Sequence, residues 1–294
     1  MRIMKLLFLS MAILSLNVVM AQETETNDDI QTVESSDLRL PKIQVVPIKD
    51  TKANRQYELY IKLPEDYAEN KDANYPVLYF TDAMWHIEML SGATEYLMEN
   101  AILVGISWQK DISEALKQEA GEHVSRYRDY SVIESNKLEH QAKYQFGQAS
   151  HHLDFIRDDV INYVENNYRT DPDNRSYFGY SLGGLFGAYI LLKQPDTFKN
   201  YLLGSPSLSG DIPYLSELAS NLRSKQASLN SNVFISYGAL EKELGEHAEA
   251  FIMIVKNIND ESLIIQQEVM KGTHQTAFPM TVVQSITWLS INQY

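Results

Sequence analysis

The sequence predicts an α/β protein with a mostly parallel central sheet and helices on both faces. Short apolar runs that suit buried strands alternate along the chain with longer stretches that suit helices. The chain has 294 residues, of which 44% are hydrophobic, and this is enough to build one large domain with a full core. No internal repeat interrupts this pattern.

The first 40 residues differ from the rest of the chain. Arg2 and Lys5 precede an apolar run at 6–20, and Val19-Met20-Ala21 has the small-x-small form of a cleavage site. Residues 1–21 are therefore expected to be a signal peptide, and the mature protein is expected to be periplasmic or secreted. A retained membrane anchor is the alternative, although the run is short for a membrane span. The acidic segment 22–40 is expected to be a disordered leader.

Composition narrows the partners of the remaining domain, which is expected to span 41–294. The formal net charge is -14, which disfavours nucleic acid and anionic membrane surfaces. The chain has no cysteine, so disulfides, thiol catalysis and a lipid-bearing cysteine are excluded. We expect a small-molecule substrate and no stable membrane insertion once the signal peptide is removed.

The elements can be assigned in chain order from their apolar patterns. An alternating strand is predicted at 57–63 and a fully apolar strand at 75–80. Further strands are predicted near 43–46, 101–106, 175–180, 201–203, 233–237 and 263–269, and helices near 153–164, 182–193, 238–257 and 282–289. The segments near 109–152 and 208–230 have no clear period, and we interpret them as insertions that form a lid or line a pocket.

The run Gly179-Tyr180-Ser181-Leu182-Gly183-Gly184 lies between a predicted strand and a predicted helix. This G-x-S-x-G spacing is typical of a nucleophile elbow, in which a serine is held at a sharp turn with its hydroxyl exposed. The flanking positions must be small because neighbouring elements pass close to the turn. The alternative is an ordinary glycine-rich turn, but the strand–turn–helix context favours Ser181 as a nucleophile.

A serine nucleophile needs a base, and the chain offers seven histidines. His274 follows the last predicted strand, which places it at the same sheet edge as Ser181, so we predict that it is the base. His86 could line the pocket, His151 and His152 precede a predicted helix and are expected to be surface or cap residues, and His123 and His247 lie in polar stretches. No H-E-x-x-H spacing is present, and we expect neither a metal nor a cofactor.

A resemblance to a known family is carried by several motifs beyond the elbow: Tyr168-Arg169-Thr170-Asp171-Pro172, Pro195-Asp196, Ser205-Pro206-Ser207-Leu208, Gly238-Ala239-Leu240-Glu241 and Gly272-Thr273-His274. Together they resemble the putative-esterase family of α/β hydrolases over about residues 41–290. This family includes esterase D-like enzymes, siderophore esterases, feruloyl esterases and mycolyl transferases. The resemblance implies an α/β-hydrolase fold and a serine esterase.

The resemblance also implies roles for further residues. The backbone amides of Leu182 and Met84 would form the oxyanion hole. Glu241 would be the acid of the triad, although some relatives work with a serine–histidine dyad alone. Side chains expected to bind substrate are Arg126, Asp129, Tyr130, Tyr180 and Trp85. For the Arg126–Tyr130 run, a buried structural ion pair is the alternative.

Helix periodicity gives a separate argument for Glu241. The helix that follows has a buried stripe marked by Leu244, Ala248, Phe251, Ile252 and Val255. Projected back by three residues from Leu244, Glu241 falls on the inward face. Glu243 and Glu246 fall on other faces and are expected to be solvated.

The chain departs from the family pattern at three places. Asp82-Ala83 stands where the family has Asp-Gly, and if that glycine needs a positive φ, the alanine should strain the oxyanion loop by about 1 kcal/mol. Ser209 and Gly210 stand where the siderophore branch has tryptophans, and Val132 replaces a proline. The first substitution questions the oxyanion loop, and the second argues against a bulky catecholate pocket.

The sequence therefore predicts an exported serine carboxylic-ester hydrolase acting on siderophore-type lactones or on acyl or feruloyl esters. An acyl transferase on the same scaffold is one alternative, in which an alcohol replaces water as the acceptor of the acyl group. A non-catalytic binding protein is the other, but the intact Ser181, Glu241 and His274 argue against it.

Overall fold

The computed structural model describes residues 43–226 and 228–292. The predicted signal peptide at 1–21 and the predicted leader at 22–40 lie outside these residues. No helix within the described ranges has the length and apolar character needed to cross a membrane.

The described residues form an eight-stranded sheet with the order β1-β2-β4-β3-β5-β6-β7-β8. The strands are β1 Ile43–Asp50, β2 Arg55–Lys62, β3 Tyr75–Phe80, β4 Ile102–Ile106, β5 Thr170–Tyr180, β6 Asn200–Gly204, β7 Asn232–Gly238 and β8 Ile264–Met270. Strand β2 runs antiparallel to both of its neighbours, and all the other pairs are parallel. The predicted α/β fold with a mostly parallel sheet is confirmed.

Helices connect the strands and cover the sheet. They are α1 Ala83–Leu97, α2 Glu114–Ala120, α3 Arg126–Asp129, α4 Leu138–Tyr144, α5 Ala149–Phe155, α6 Asn162–Asn167, α7 Leu182–Lys193, α8 Ile212–Ser224, α9 Lys242–Lys256 and α10 His274–Asn292. Helices α5 and α6 form one continuous rod, because the π-helical segment Ile156–Ile161 joins them. The predicted apolar face of this rod is buried along its length.

Each face of the sheet has its own hydrophobic core. Helices α1 and α10 pack on one face, where Phe80 and Phe178 meet Leu90 and Ile286. The α5–α6 rod and helices α7 to α9 cover the other face. Strands β3, β4, β6 and β7 are buried at every position, because both of their faces are covered.

The segment near 208–230 differs from its interpretation as an insertion. It contains α8, which packs against α7 and α9 and buries Leu215 and Ala219. It is therefore the crossover helix between β6 and β7, with its apolar residues facing the core. The segment near 109–152 contains α2, a 3-10 helix at Glu122–Ser125, α3, α4 and the start of α5, and it forms the first part of the long connection from β4 to β5.

Candidate active site

The predicted nucleophile lies at a strained turn between β5 and α7. Ser181 has φ 58° and ψ -117°, a combination that residues other than glycine rarely adopt. A Cβ atom on Gly179 would lie 2.2 Å from the carbonyl oxygen of Gly183, so the residue two before the serine has to be glycine. The chain therefore bends sharply at Ser181, as the elbow motif predicts.

The nucleophile has a hydroxyl neighbour that the sequence analysis did not assign. Ser181 Oγ lies 3.3 Å from Ser207 Oγ. Within the described ranges this is the one side-chain hydrogen bond of Ser181, and the structure shows none between Ser181 and the imidazole of His274. The hydroxyl of Ser181 is therefore hydrogen-bonded to Ser207, not to His274, in this structure.

The structure brings Glu241 and His274 into direct contact. Glu241 immediately precedes α9, and His274 is the first residue of α10. Their Oε1 and Nδ1 atoms are 2.6 Å apart. A carboxylate can only accept, so the proton of this hydrogen bond lies on Nδ1 and the lone pair of the imidazole lies on Nε2. The two alternative acids, Glu243 and Glu246, are exposed.

The second oxygen of Glu241 is held by two donors. The backbone amide of Gly238 donates to Oε2 at 2.7 Å, and the hydroxyl of Ser205 donates to it at 2.8 Å. These bonds orient the carboxylate, and Oε1 is left to face His274. Helix α9 begins only at Lys242, so the turn from Gly238 to Glu241 sets the direction of the Glu241 side chain. The helix periodicity that was used to select Glu241 therefore does not apply to it.

Tyr180 was predicted to bind substrate, but the structure gives it a different position. Its side chain is buried, and its hydroxyl donates to the backbone oxygen of His274 at 2.5 Å. Burial, together with the negative charge of Glu241, raises the pKa of the Tyr180 phenol to about 12. The phenol therefore stays protonated near neutral pH and anchors the backbone of His274.

Helices α1 and α7 cover opposite faces of the sheet, and their amino ends meet at the edge where β3 and β5 end. A Cβ atom on Gly183 would lie 2.6 Å from Thr81 Oγ1 and 3.5 Å from Asp82 Oδ2, which shows how closely the two turns approach. The first amides of a helix have no carbonyl one turn before them, so they are free to bind a negatively charged oxygen. Met84 and Leu182 lie in these first turns.

A buried carboxylate fixes the turn before α1. Asp82 is fully buried and accepts from Arg126 through Nε at 3.0 Å and Nη2 at 2.9 Å. Trp108 Nε1 also donates to Asp82 Oδ1, at 2.6 Å. Asp82 takes the left-handed conformation, with φ 55°, and Ala83 begins the helix. The strain expected at Ala83 is therefore absent, because the positive φ falls one residue earlier.

The Arg126–Tyr130 run supports the fold. Arg126 is paired with Asp82, as the structural alternative proposed. Asp129 accepts from Tyr57 at 3.0 Å and from Arg128 at 2.8 Å. The expected contacts of Asp129 and Tyr130 with substrate require correction, because each is only 1% exposed and offers a ligand no surface.

Two hydrophobic side chains of the first turn of α1 remain open to solvent. Met84 is 40% exposed and Trp85 is 48% exposed. The indole of Trp85 packs edge-on against Trp108 and lies over the guanidinium of Arg126, at 5.0 Å from the ring centroid. The exposed parts of Met84 and Trp85 therefore form an apolar surface at the amino end of α1. His86, in contrast, is buried and hydrogen-bonded through Nδ1 to the backbone oxygen of Thr81.

Comparison with known proteins identifies the family to which the chain belongs. The model of the "Putative esterase" family matches residues 51–277, which is more than half of the chain. The chain belongs to this family. It is 27% identical to the ferri-bacillibactin esterase BesA of Bacillus subtilis over 233 residues, which are 74% of this chain and 77% of BesA.

Solved structures show the same fold. The BES protein from Bacillus cereus superposes with a TM-score of 0.74 at 22% identity, over 87% of this chain and 99% of that protein. An IroE-like serine hydrolase from Shewanella oneidensis superposes with a TM-score of 0.69 at 21% identity, over 84% of this chain and 79% of that protein. The fold is therefore that of α/β-hydrolase-type enzymes, and the chain is an esterase-family protein.

Two hydroxyl groups of the site were not assigned from the sequence. Ser205 contacts the acid and Ser207 contacts the nucleophile, and both lie in the loop after β6. The only available signal was the Ser205-Pro206-Ser207-Leu208 run, which supports the family resemblance but does not show which atoms the serines touch. The partner of Ser205 lies 36 residues away in sequence, and the partner of Ser207 lies 26 residues away.

Proposed function

We propose that this protein is an exported serine carboxylic-ester hydrolase with Ser181 as nucleophile, His274 as base and Glu241 as acid. The observation that carries the proposal is the 2.6 Å contact between Glu241 and His274, at the same sheet edge as the strained elbow. Export is proposed from the basic and apolar pattern of residues 1–21.

The first half of the reaction forms an acyl-enzyme. His274 Nε2 takes the proton of Ser181 as its Oγ, which stays beside the Ser207 hydroxyl, attacks the ester carbonyl carbon. The carbonyl oxygen becomes an oxyanion, which the amides of Leu182 and Met84 bind. Collapse of this intermediate breaks the bond to the alcohol, and His274 returns the proton to the leaving oxygen.

The second half releases the acid product. His274 removes a proton from water, and the resulting hydroxide attacks the acyl carbon. The new tetrahedral intermediate collapses with Ser181 Oγ as the leaving group, and His274 protonates it. Throughout, Glu241 holds Nδ1–H in place and stabilises the imidazolium. The two donors on its other oxygen keep it in the orientation that this role requires.

The substrate is proposed to be an ester with an aromatic group, of the siderophore-lactone or feruloyl type, and simple acyl esters are proposed as poorer substrates. Because Ser209 and Gly210 replace the tryptophans of the siderophore branch, the aromatic group is proposed to bind at Trp85 instead. The half-exposed Trp85 follows Met84 directly and belongs to a cluster with Trp108, His123 and Arg126, which an aromatic group of the substrate would extend. The relative BesA, named as a ferri-bacillibactin esterase, supports the same class of substrate.

A fluorophosphonate probe tests the serine mechanism. The mature protein should bind one probe molecule, and peptide mass mapping should locate it on Ser181. Ser181→Ala should remain unlabelled, and Ser209→Ala, which changes an exposed serine of the loop after β6, should label normally. A label on any other residue would contradict the proposal.

Substrate class is tested separately with a matched panel. The value of kcat/KM is measured for a catecholate trilactone with and without iron, a feruloyl ester and a short acyl ester. Trp85→Ala should reduce kcat/KM for the aromatic esters about tenfold and leave the short acyl ester nearly unchanged. An equal loss for all of the esters would show that Trp85 does not select aromatic groups.

A further inference from the structure

We propose that the loop Ser205–Ser207 joins the two ends of the triad, with Ser207 donating a hydrogen bond to the nucleophile oxygen and Ser205 positioning the acid. This inference rests on the proposed serine mechanism. Ser207 would act on a reacting atom, and Ser205 would act through Glu241.

Backbone hydrogen bonds fix this loop to the elbow. The amide of Ser181 donates to the carbonyl oxygen of Gly204 at 2.9 Å, and the amide of Ser207 donates to the carbonyl oxygen of Ser181 at 3.1 Å. Towards β7, the amide of Ser205 donates to the backbone carbonyl oxygen of Ser236 at 2.7 Å. The loop therefore cannot move without moving the nucleophile or β7.

The same loop also packs closely against the first turn of α7. A Cβ atom on Gly184, in the first turn of α7, would lie 3.0 Å from Pro206 Cα. Pro206 is buried, its ring fixes its own φ, and it restricts the backbone of the preceding Ser205. Ser205 itself has φ 38°, an uncommon value for a residue with a side chain. Such a conformation persists only where its surroundings determine it.

Ser205 is placed to orient the acid. Its side chain is fully buried, and its oxygen lies 2.8 Å from Glu241 Oε2 and 3.0 Å from the Tyr180 hydroxyl oxygen. A serine has one proton to donate, and a hydrogen bond to a carboxylate is about twice as strong as one between neutral groups. The proton therefore points to Glu241, which is held at Oε2 and presents Oε1 to His274.

Ser207 is placed to serve the nucleophile in the second half of the reaction. In the resting enzyme, either hydroxyl can donate across the 3.3 Å contact. Once Ser181 has become an ester, its Oγ has no proton and can only accept. When the second tetrahedral intermediate collapses, negative charge develops on this Oγ, and the hydroxyl of Ser207 is in position to donate to it. Removal of Ser207 should therefore slow deacylation more than acylation.

Pre-steady-state kinetics on a chromogenic ester test this role. Ser207→Ala should lower the steady-state rate about tenfold, as expected for one hydrogen bond to a charged oxygen, with a smaller effect on the rate of the initial burst. Ser207→Thr keeps the hydroxyl and should recover most of the rate. Ser220→Ala, which changes an exposed serine of α8, serves as the control. An unchanged steady-state rate in Ser207→Ala, or a burst slowed as much as turnover, would overturn the role of Ser207.

A double-mutant cycle tests Ser205. Ser205→Ala should lower kcat about tenfold in the native background and much less in the Glu241→Gln background, because its effect passes through the carboxylate. Equal losses in both backgrounds would overturn the positioning role. If Ser181 of the native enzyme neither labels nor gives a burst, the serine mechanism itself fails, and this result is distinct from both outcomes above.

Discussion

The two sides of the site are built from different chemical groups. On the side that follows β6 to β8, side chains contact one another directly: Ser205 contacts Glu241, and Glu241 contacts His274. On the side that follows β3 and β5, the proposed oxyanion-hole groups are backbone amides at the start of α1 and α7, and the buried Asp82–Arg126 pair holds the turn before α1.

This difference predicts how each side responds to substitution. A reacting side chain can be replaced without disturbing the core, so chemistry is lost and the fold remains. A backbone amide cannot be replaced, and it can be changed only through its support, the Asp82–Arg126 pair, which lies in the interior. Substitutions on this second side should therefore reduce stability together with activity.

Ser181→Ala should give the largest effect, a fall in kcat of about 10⁴-fold or more with an unchanged unfolding midpoint. The hydroxyl is the proposed nucleophile, and its removal leaves the core untouched. Steady-state kinetics and urea unfolding of the same preparation measure both quantities. A folded variant that keeps a tenth of the native activity would refute the assignment. Ser181→Ala combined with His274→Ala should cost little more than either change alone.

Glu241→Gln should lower kcat by at least tenfold, and by up to about 10⁴-fold if the full triad operates. The amide cannot stabilise the imidazolium, and it can present a donor to Nδ1–H, which disturbs the tautomer. Glu243→Gln and Glu246→Gln are matched controls, because both side chains are exposed and belong to the same segment. Normal turnover in Glu241→Gln, with a loss in either control, would show that another residue is the acid.

Asp82→Asn should destabilise the protein by about 3 kcal/mol, because it leaves the buried guanidinium of Arg126 without a counter-charge. Activity should fall as well, since the turn that presents the Met84 amide loses its anchor. Urea unfolding measures the first effect, and the double variant Asp82→Asn with Arg126→Met should recover part of the stability. Loss of activity with fully native stability would mean that the two sides do not differ in the way proposed here.

Asp211, in the loop before α8, should give the smallest effect on stability. It differs from Asp82 in lacking a paired cation among the residues that the structure describes. It is also a buried carboxyl, but one of its oxygens has no hydrogen-bond partner within the described residues. Burial raises the pKa of Asp211 to about 6, above its ordinary value of 3.8. Between about pH 4 and 6, the unfolded chain therefore loses a proton that the folded chain keeps, and stability falls as the pH rises.

Asp211→Asn should remove this penalty. We expect it to raise the free energy of unfolding by about 1–3 kcal/mol at pH 7.5 and to change it little at pH 4. The amino end of α8 favours the charged form and should reduce the gain towards the lower value. Urea unfolding of both proteins at the two pH values checks the sign. A variant that is less stable at pH 7.5 would show that the carboxylate has a favourable partner.

The sequence was sufficient where the pattern and the structure depend on neighbouring residues. Strand β3 and helix α7 have the predicted bounds, because a fully apolar run and a strand–turn–helix motif are local signals. The elbow conformation at Ser181 follows from its glycines for the same reason. The sequence also selected Glu241 as the acid, and its contact with His274 agrees, although the helix-phase argument does not apply to a residue that precedes its helix.

Only the tertiary structure decided which side chains meet across the sheet edge. The sequence could not tell whether Arg126 faces a substrate or an acid, because its partner Asp82 lies 44 residues earlier. It could not place the positive φ at Asp82 rather than Ala83, since the conformation is imposed by the buried donors around that carboxylate. The link from Ser207 to Ser181 arises in the same way. Such contacts are set by the parallel order of β5, β6 and β7, which brings the loops that follow these strands to one edge.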